Sequence, residues 1–170
     1  ILSGEFTDSL YDNPSYVEYV KLNNSRSKRW IKKGELTDEI KSKLDSIQAK
    51  QKWIIITEPW CGDAAHLAPF IKKMAEYSPH IELEIQKRDG EGSEIDNYLT
   101  NGGKSIPKLI VRDENGKDLY NWGPRPTVPQ AIVMSQKSSN QTAEEKKSEL
   151  QVWYNKDKGI SIQRELAELI

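Results

Sequence analysis

Between Lys52 and Trp122 the chain alternates two hydrophobic periods, and that alternation restricts its fold more than any other feature. The run KWIIIT has the length and the β-branched content of a buried strand. Leu67, Phe70, Ile71, Met74 and Tyr77 then recur at helical spacing. HIELEIQK places Ile81, Leu83 and Ile85 on one side of a second strand, and GSEIDNYLTNGG predicts a short helix capped by Ser93 and stopped at Asn101-Gly102. PKLIVRD and DLYNW flank ENGK, whose Asn115-Gly116 pair predicts a hairpin. The order β-α-β-α-β-β specifies an α/β fold: a mixed sheet covered by helices, parallel across the first crossover and antiparallel at the final hairpin.

Helical patterns flank this core. PSYVEYVKLNN predicts a short helix from Pro14 to Asn24, followed by the basic turn SRSKRWIKKG, whose charges predict a solvated face. Thr37 is an N-cap for a helix carrying Ile40, Leu44 and Ile47 up to about Lys50. Val128 to Gln136 predicts another helix, Thr142 and Glu145 form a capping box, and SIQRELAELI ends the chain as a further amphipathic segment. The organisation expected is one domain over 1–170, with a helical extension at 1–51, a core at 52–136 and a second extension at 137–170.

Charge excludes several functions. With 25 Lys and Arg against 26 Asp and Glu, the net charge of -1 supplies no broad field for nucleic acid or an anionic membrane. WIIIT falls far short of the ~20 apolar residues of a bilayer span. His66 and His80 are the only histidines and Cys61 is the only cysteine, so neither a zinc tetrad nor an internal disulfide is available. No metal and no cofactor are expected. A lone thiol predicts a reducing compartment, the cytoplasm, and ILSGEFTDSL shows no signal-peptide pattern.

Cys61 stands where the first core strand gives way to a helix. Amide hydrogens and the positive end of the helix dipole favour a thiolate there, which predicts a partly accessible and acidified thiol. The alternative is a small buried hydrophobe. His66, five residues on, falls about 140° round the helix by its 3.6-residue period and reads as a surface or core histidine rather than a base for the thiol.

WCGDAAHLAP resembles the active-site run of the thioredoxin family, with Pro69 at the family's spacing from Cys61. SIPKLIV resembles the segment that carries the family's cis-proline. The resemblance implies that Pro107 is that proline, that Ile106 offers backbone to a substrate strand, and that Trp60, Gly62, Asp63 and Ala64 line the same groove. TNGGKSIPK and WGPRP further resemble a bacterial thioredoxin-like subgroup marked by W-C-G-D. Within WGPRP, Arg125 either pairs with a carboxylate or contacts an anionic partner group.

Two departures from the family decide the chemistry expected. Ala64 occupies the place of the resolving cysteine, and Ile55 that of the buried acid, so a dithiol cycle cannot run. Asp63 replaces the family's proline and sets a negative charge beside the thiol. The implied function is a monothiol thioredoxin-like protein in which Cys61 forms mixed disulfides with a protein or low-molecular-weight thiol. The rival is a binding or scaffolding protein that keeps the fold while Cys61 is vestigial. A third reading takes Ala64 as an engineered replacement that traps a partner.

Overall fold

The computed structural model describes residues 14–170, with side chains from Tyr16 on, so the opening ILSGEFTDSL lies outside the described residues. Six helices and four strands follow in the order α1 (Pro14–Lys33), α2 (Asp38–Asp45), β1 (Gln51–Thr57), α3 (Gly62–Tyr77), β2 (Ile81–Lys87), β3 (Lys108–Asp113), β4 (Asp118–Trp122), α4 (Thr127–Gln136), α5 (Ala143–Asp157) and α6 (Ile160–Leu169). The sheet runs β2-β1-β3-β4, with β1 parallel to β2 and the other two pairings antiparallel. The arrangement is the mixed α/β sheet flanked by helices that the alternation of periods specifies.

β1 is central because both its faces are apolar. Trp53 and Ile55 point into the larger core with Phe70, Met74 and Leu166, while Ile54 and Ile56 point into a second cluster with Cys61, Ile95, Ile106 and Ile110. Fully burying side chains of this size contributes roughly 1.5–3 kcal/mol each. Glycine makes one junction possible: Gly159 has φ 78°, and a Cβ there would stand 2.3 Å from the Phe70 ring, so only glycine lets α6 fold back onto α3.

Several expectations are corrected. The basic stretch after Asn24 is no turn but the second half of α1, and its Trp30 is 7% exposed. A helix here buries one stripe, Val20, Asn23 and Trp30, and leaves its charges outside. The segment after Ser93 forms only a 3₁₀ turn at Ile95–Asn97, with the Ser93 hydroxyl accepting from the Ile95 N–H at 3.4 Å. Ile85 and Tyr77 are exposed, because β2 is an edge strand and α3 ends at Tyr77. α2 stops at Asp45, yet Ile47 beyond it is buried. Thr37 caps α2, and the Thr142–Glu145 capping box opens α5.

Candidate functional site

Cys61 is the N-cap residue of α3, with φ -75° and ψ 112°, and Trp60 precedes it while Gly62, Asp63 and Ala64 form the first turn. The cap position follows from chain direction: β1 ends at Thr57, and a short loop tied by the Cys61 N–H to the Glu58 carbonyl at 3.0 Å turns into the helix. Facing it is the loop before β3, where the Ile106–Pro107 peptide is cis. The Cys61 thiol donates to the Ile106 carbonyl oxygen at 3.4 Å.

The environment of this thiol reverses the expectation of an accessible, acidified cysteine. Cys61 is 7% exposed, enclosed by Ile54, Ile56, Ala64, Ile95, Ile106 and Ile110. Burial, then the Asp63 charge, push the thiol up to about 12, against the weaker pull of the Ala64 and Asp63 N–H groups and Arg125. Desolvation outweighs the helix terminus here because apolar side chains surround the sulfur.

Asp63 and Arg125, 62 positions apart, form an ion pair at 2.7 Å with side chains only 13% and 19% exposed. The second carboxylate oxygen of Asp63 accepts from the Tyr154 hydroxyl at 2.7 Å, which brings α5 to the site. Burial lowers the Arg125 pKa, but the charge and hydrogen bond of Asp63 prevail and raise it overall. Burial and Asp63 together hold the Tyr154 phenol well above its ordinary range. Arg125 thus pairs with a carboxylate, one of the two roles its motif allows.

The SIPK and WGPRP segments are locked together. Lys108, 4% exposed, donates from Nζ to the Thr100 hydroxyl at 2.9 Å and to the Gly123 carbonyl at 3.1 Å, and burial lowers its pKa. Gly123 has φ 117°, and a Cβ on it would stand 2.3 Å from the Pro107 carbonyl oxygen. The Gly123–Pro124 peptide is also cis. Glu165 of α6 completes the frame, accepting from Trp122 Nε1 at 2.8 Å and from the Thr127 N–H at 2.7 Å.

Pro69 inside α3 removes the N–H that would bond the Ala65 carbonyl one turn back. The Ser27 hydroxyl of α1 donates to that carbonyl at 3.2 Å, and Asn23 donates to the Pro59 carbonyl at 3.1 Å. α1 is therefore fastened over the first turns of α3. The two core clusters, the cis Ile106–Pro107 peptide opposite a cysteine N-cap, and the sheet order make one consistent frame, and a family model described as thioredoxin matches residues 11–156.

The chain belongs to the thioredoxin family.

Solved structures similar to it include a protein of unknown function from Pseudomonas aeruginosa, 17% identical with a TM-score of 0.61, covering 92% of this chain and 84% of that one. An HIV epitope-scaffold is 18% identical with a TM-score of 0.62, covering 90% of this chain and 89% of its own. Likeness at this identity extends to the fold. No curated protein matches.

Against the thioredoxin pattern, the structure brings Cys61 to Ile106 and Pro107, and Asp63 to Arg125. Ala64 is buried beside Cys61, and Trp60 meets Tyr16 edge-on at 6.3 Å while the Arg88 guanidinium lies 4.8 Å from its ring. Ile55 lies in the larger core, on the face of β1 away from Cys61. His66 is buried: Trp30 Nε1–H donates to its Nδ1 at 2.8 Å, its Nε2 meets the Gln151 amide at 2.7 Å, and its ring stacks on Tyr154 at 4.6 Å. Burial holds it down to about 4, so it is a neutral core group. Sequence reasoning missed Tyr154, Lys108 and Gln151, because their roles depend on partners 91, 15 and 85 positions away and no local pattern marks them.

Proposed function

We propose that this thioredoxin-fold chain is a binding protein in which Cys61 serves as a structural thiol. The observation that carries this reading is the enclosure of Cys61, 7% exposed with its S–H bonded to the Ile106 carbonyl. A thiol so placed is almost wholly protonated at neutral pH, and the thiolate is the species that exchanges. The absence of a second cysteine fits the same reading, since no internal resolution of a mixed disulfide is available. Native alkylation tests it directly. At neutral pH iodoacetamide should modify native Cys61 far more slowly than the unfolded chain, and native modification at the rate of a model thiol would refute the reading.

A second reading is favoured by one feature, the position of Cys61 at the N-cap of α3 opposite Ile106–Pro107. On that reading the chain is a monothiol member of the bacterial W-C-G-D subgroup acting in the cytoplasm. The Cys61 thiolate attacks a disulfide and expels one thiolate; an external thiol then attacks the mixed disulfide and returns Cys61. Trp60, Gly62, Asp63, Ala64, Ile106 and Pro107 would form the groove for a protein or low-molecular-weight partner. Trapping of a mixed disulfide on Cys61 by an added small disulfide, under native conditions, would establish this reading over the first.

A further inference from the structure

A cleft of about 570 Å³ opens between α1, the start of α3 and α5, on the face carrying Asp63 and Trp60. Small-molecule sites run from about 300 to 1,000 Å³, combining apolar walls with a few placed polar groups. Tyr16 stands edge-on to Trp60 at 6.3 Å on one wall, and Tyr19 lies against the Lys147 ammonium, 4.7 Å from its ring. These side chains offer ring surface to a flat ligand.

The charges lining the cleft are unbalanced. Arg26, Arg125 and Lys147 face it against the single carboxylate of Asp63. Both oxygens of that carboxylate are already engaged, one by Arg125 and one by Tyr154, each at 2.7 Å. Among the described residues, Arg26 donates only to Asn23 Oδ1, at 3.0 Å, and Lys147 only to the Tyr19 hydroxyl; neither meets a carboxylate. Arg26 is also half-buried, so its charge is held partly out of water without a counter-charge. A guanidinium in that position is suited to a planar or tetrahedral anion through its donor fork.

We propose that this cleft binds a small organic anion carried on a flat ring, with Arg26 and Lys147 taking the anionic group and Tyr16, Tyr19 and Trp60 the ring. The inference rests on the binding reading of this face. It requires no chemistry at Cys61, whose sulfur lies in the cluster around Ile106.

The test is calorimetric titration of the full chain with 1-naphthyl phosphate and 1-naphthoate, against neutral 1-naphthol. The anions should bind with one-to-one saturation and at least about tenfold more tightly than the neutral ring, a factor within reach of one charge-assisted hydrogen bond. Lys147→Gln, on the exposed face of α5, and Arg26→Gln should each weaken the anions by about fivefold or more and leave 1-naphthol unchanged. Equal binding of neutral and anionic rings, or no effect of Lys147→Gln in a folded variant, would overturn the proposal. Amide shift mapping of the unsubstituted protein adds a reading free of folding defects: anion-induced shifts should centre on the cleft, around Tyr19, Arg26, Gly62 and Lys147, and shifts confined to residues outside it would overturn the proposal. A reactive native Cys61 would refute the structural-thiol reading while these titrations held, whereas absent anion binding with an inert Cys61 would refute only the cleft.

Discussion

The Arg125 guanidinium holds the Asp63 carboxylate at 2.7 Å, joining the loop after β4 to the first turn of α3. Neither side chain is more than 19% exposed, so each neutralises a charge that would otherwise be stranded in a poorly solvated place. Removing one member leaves the other unpaired. Arg125→Ala should therefore cost about 2–4 kcal/mol in urea unfolding, and Arg125→Lys should recover less than half of that, because an ammonium lacks the guanidinium fork. A loss within about 0.5 kcal/mol would show that the pair is incidental.

Gly123→Ala should destabilise by more than about 2 kcal/mol, since φ 117° disfavours any side chain and the new Cβ would stand 2.3 Å from the Pro107 carbonyl oxygen. Thermal unfolding gives the answer. An unchanged melting temperature would mean that the two loops do not touch as described.

Ser27→Ala should cost about 1 kcal/mol by leaving the Ala65 carbonyl without a donor. The effect depends on Pro69, whose ring replaces the N–H that would serve that carbonyl. In a double-mutant cycle the loss should shrink in a Pro69→Ala background. Strictly additive effects would contradict the link.

Stability should fall as pH drops from about 6.5 toward 4, because the folded protein holds His66 at about 4 while the unfolded chain takes up its proton at 6.5. Below 6.5 the unfolded state binds the extra proton and is favoured; above it the contribution is fully present. Over that window the loss approaches roughly 3 kcal/mol, most of it above the range in which ordinary carboxylates titrate. His66→Gln should flatten the urea-midpoint profile between pH 6.5 and 5. A profile as steep as that of the unsubstituted protein would place the titration elsewhere.

Much of the scaffold was legible because its periods are strong. KWIIIT has no competing helical pattern, Leu67 to Met74 forms an uninterrupted apolar stripe, and the Thr142–Glu145 box is a local signal realised by local bonds. Edges and junctions were less legible. Ile85 obeys the strand period but lies on β2, whose outer side has no neighbour, and the basic residues of α1 conceal the buried stripe that ends at Trp30. At the site, the motifs placed Cys61, Ile106 and Pro107 together. Whether the thiol is wet or dry depends on Ile54, Ile95 and Ile110, which come from three separate elements and converge only in the fold. Local position therefore argued for an acidic thiol, and tertiary burial decided against it.

The central claim, that Cys61 is a structural thiol in a binding protein, is tested most directly by the pH dependence of its alkylation in the native state. With the thiol pushed up to about 12, the iodoacetamide rate at pH 7.5 should lie at least ~100-fold below that of a model thiol with a pKa of about 8.5. It should still be rising at about pH 10 and should reach the model rate on unfolding in urea. A native rate that reaches its plateau below about pH 8 would mean an exposed thiolate at the mouth of α3, and would contradict the account.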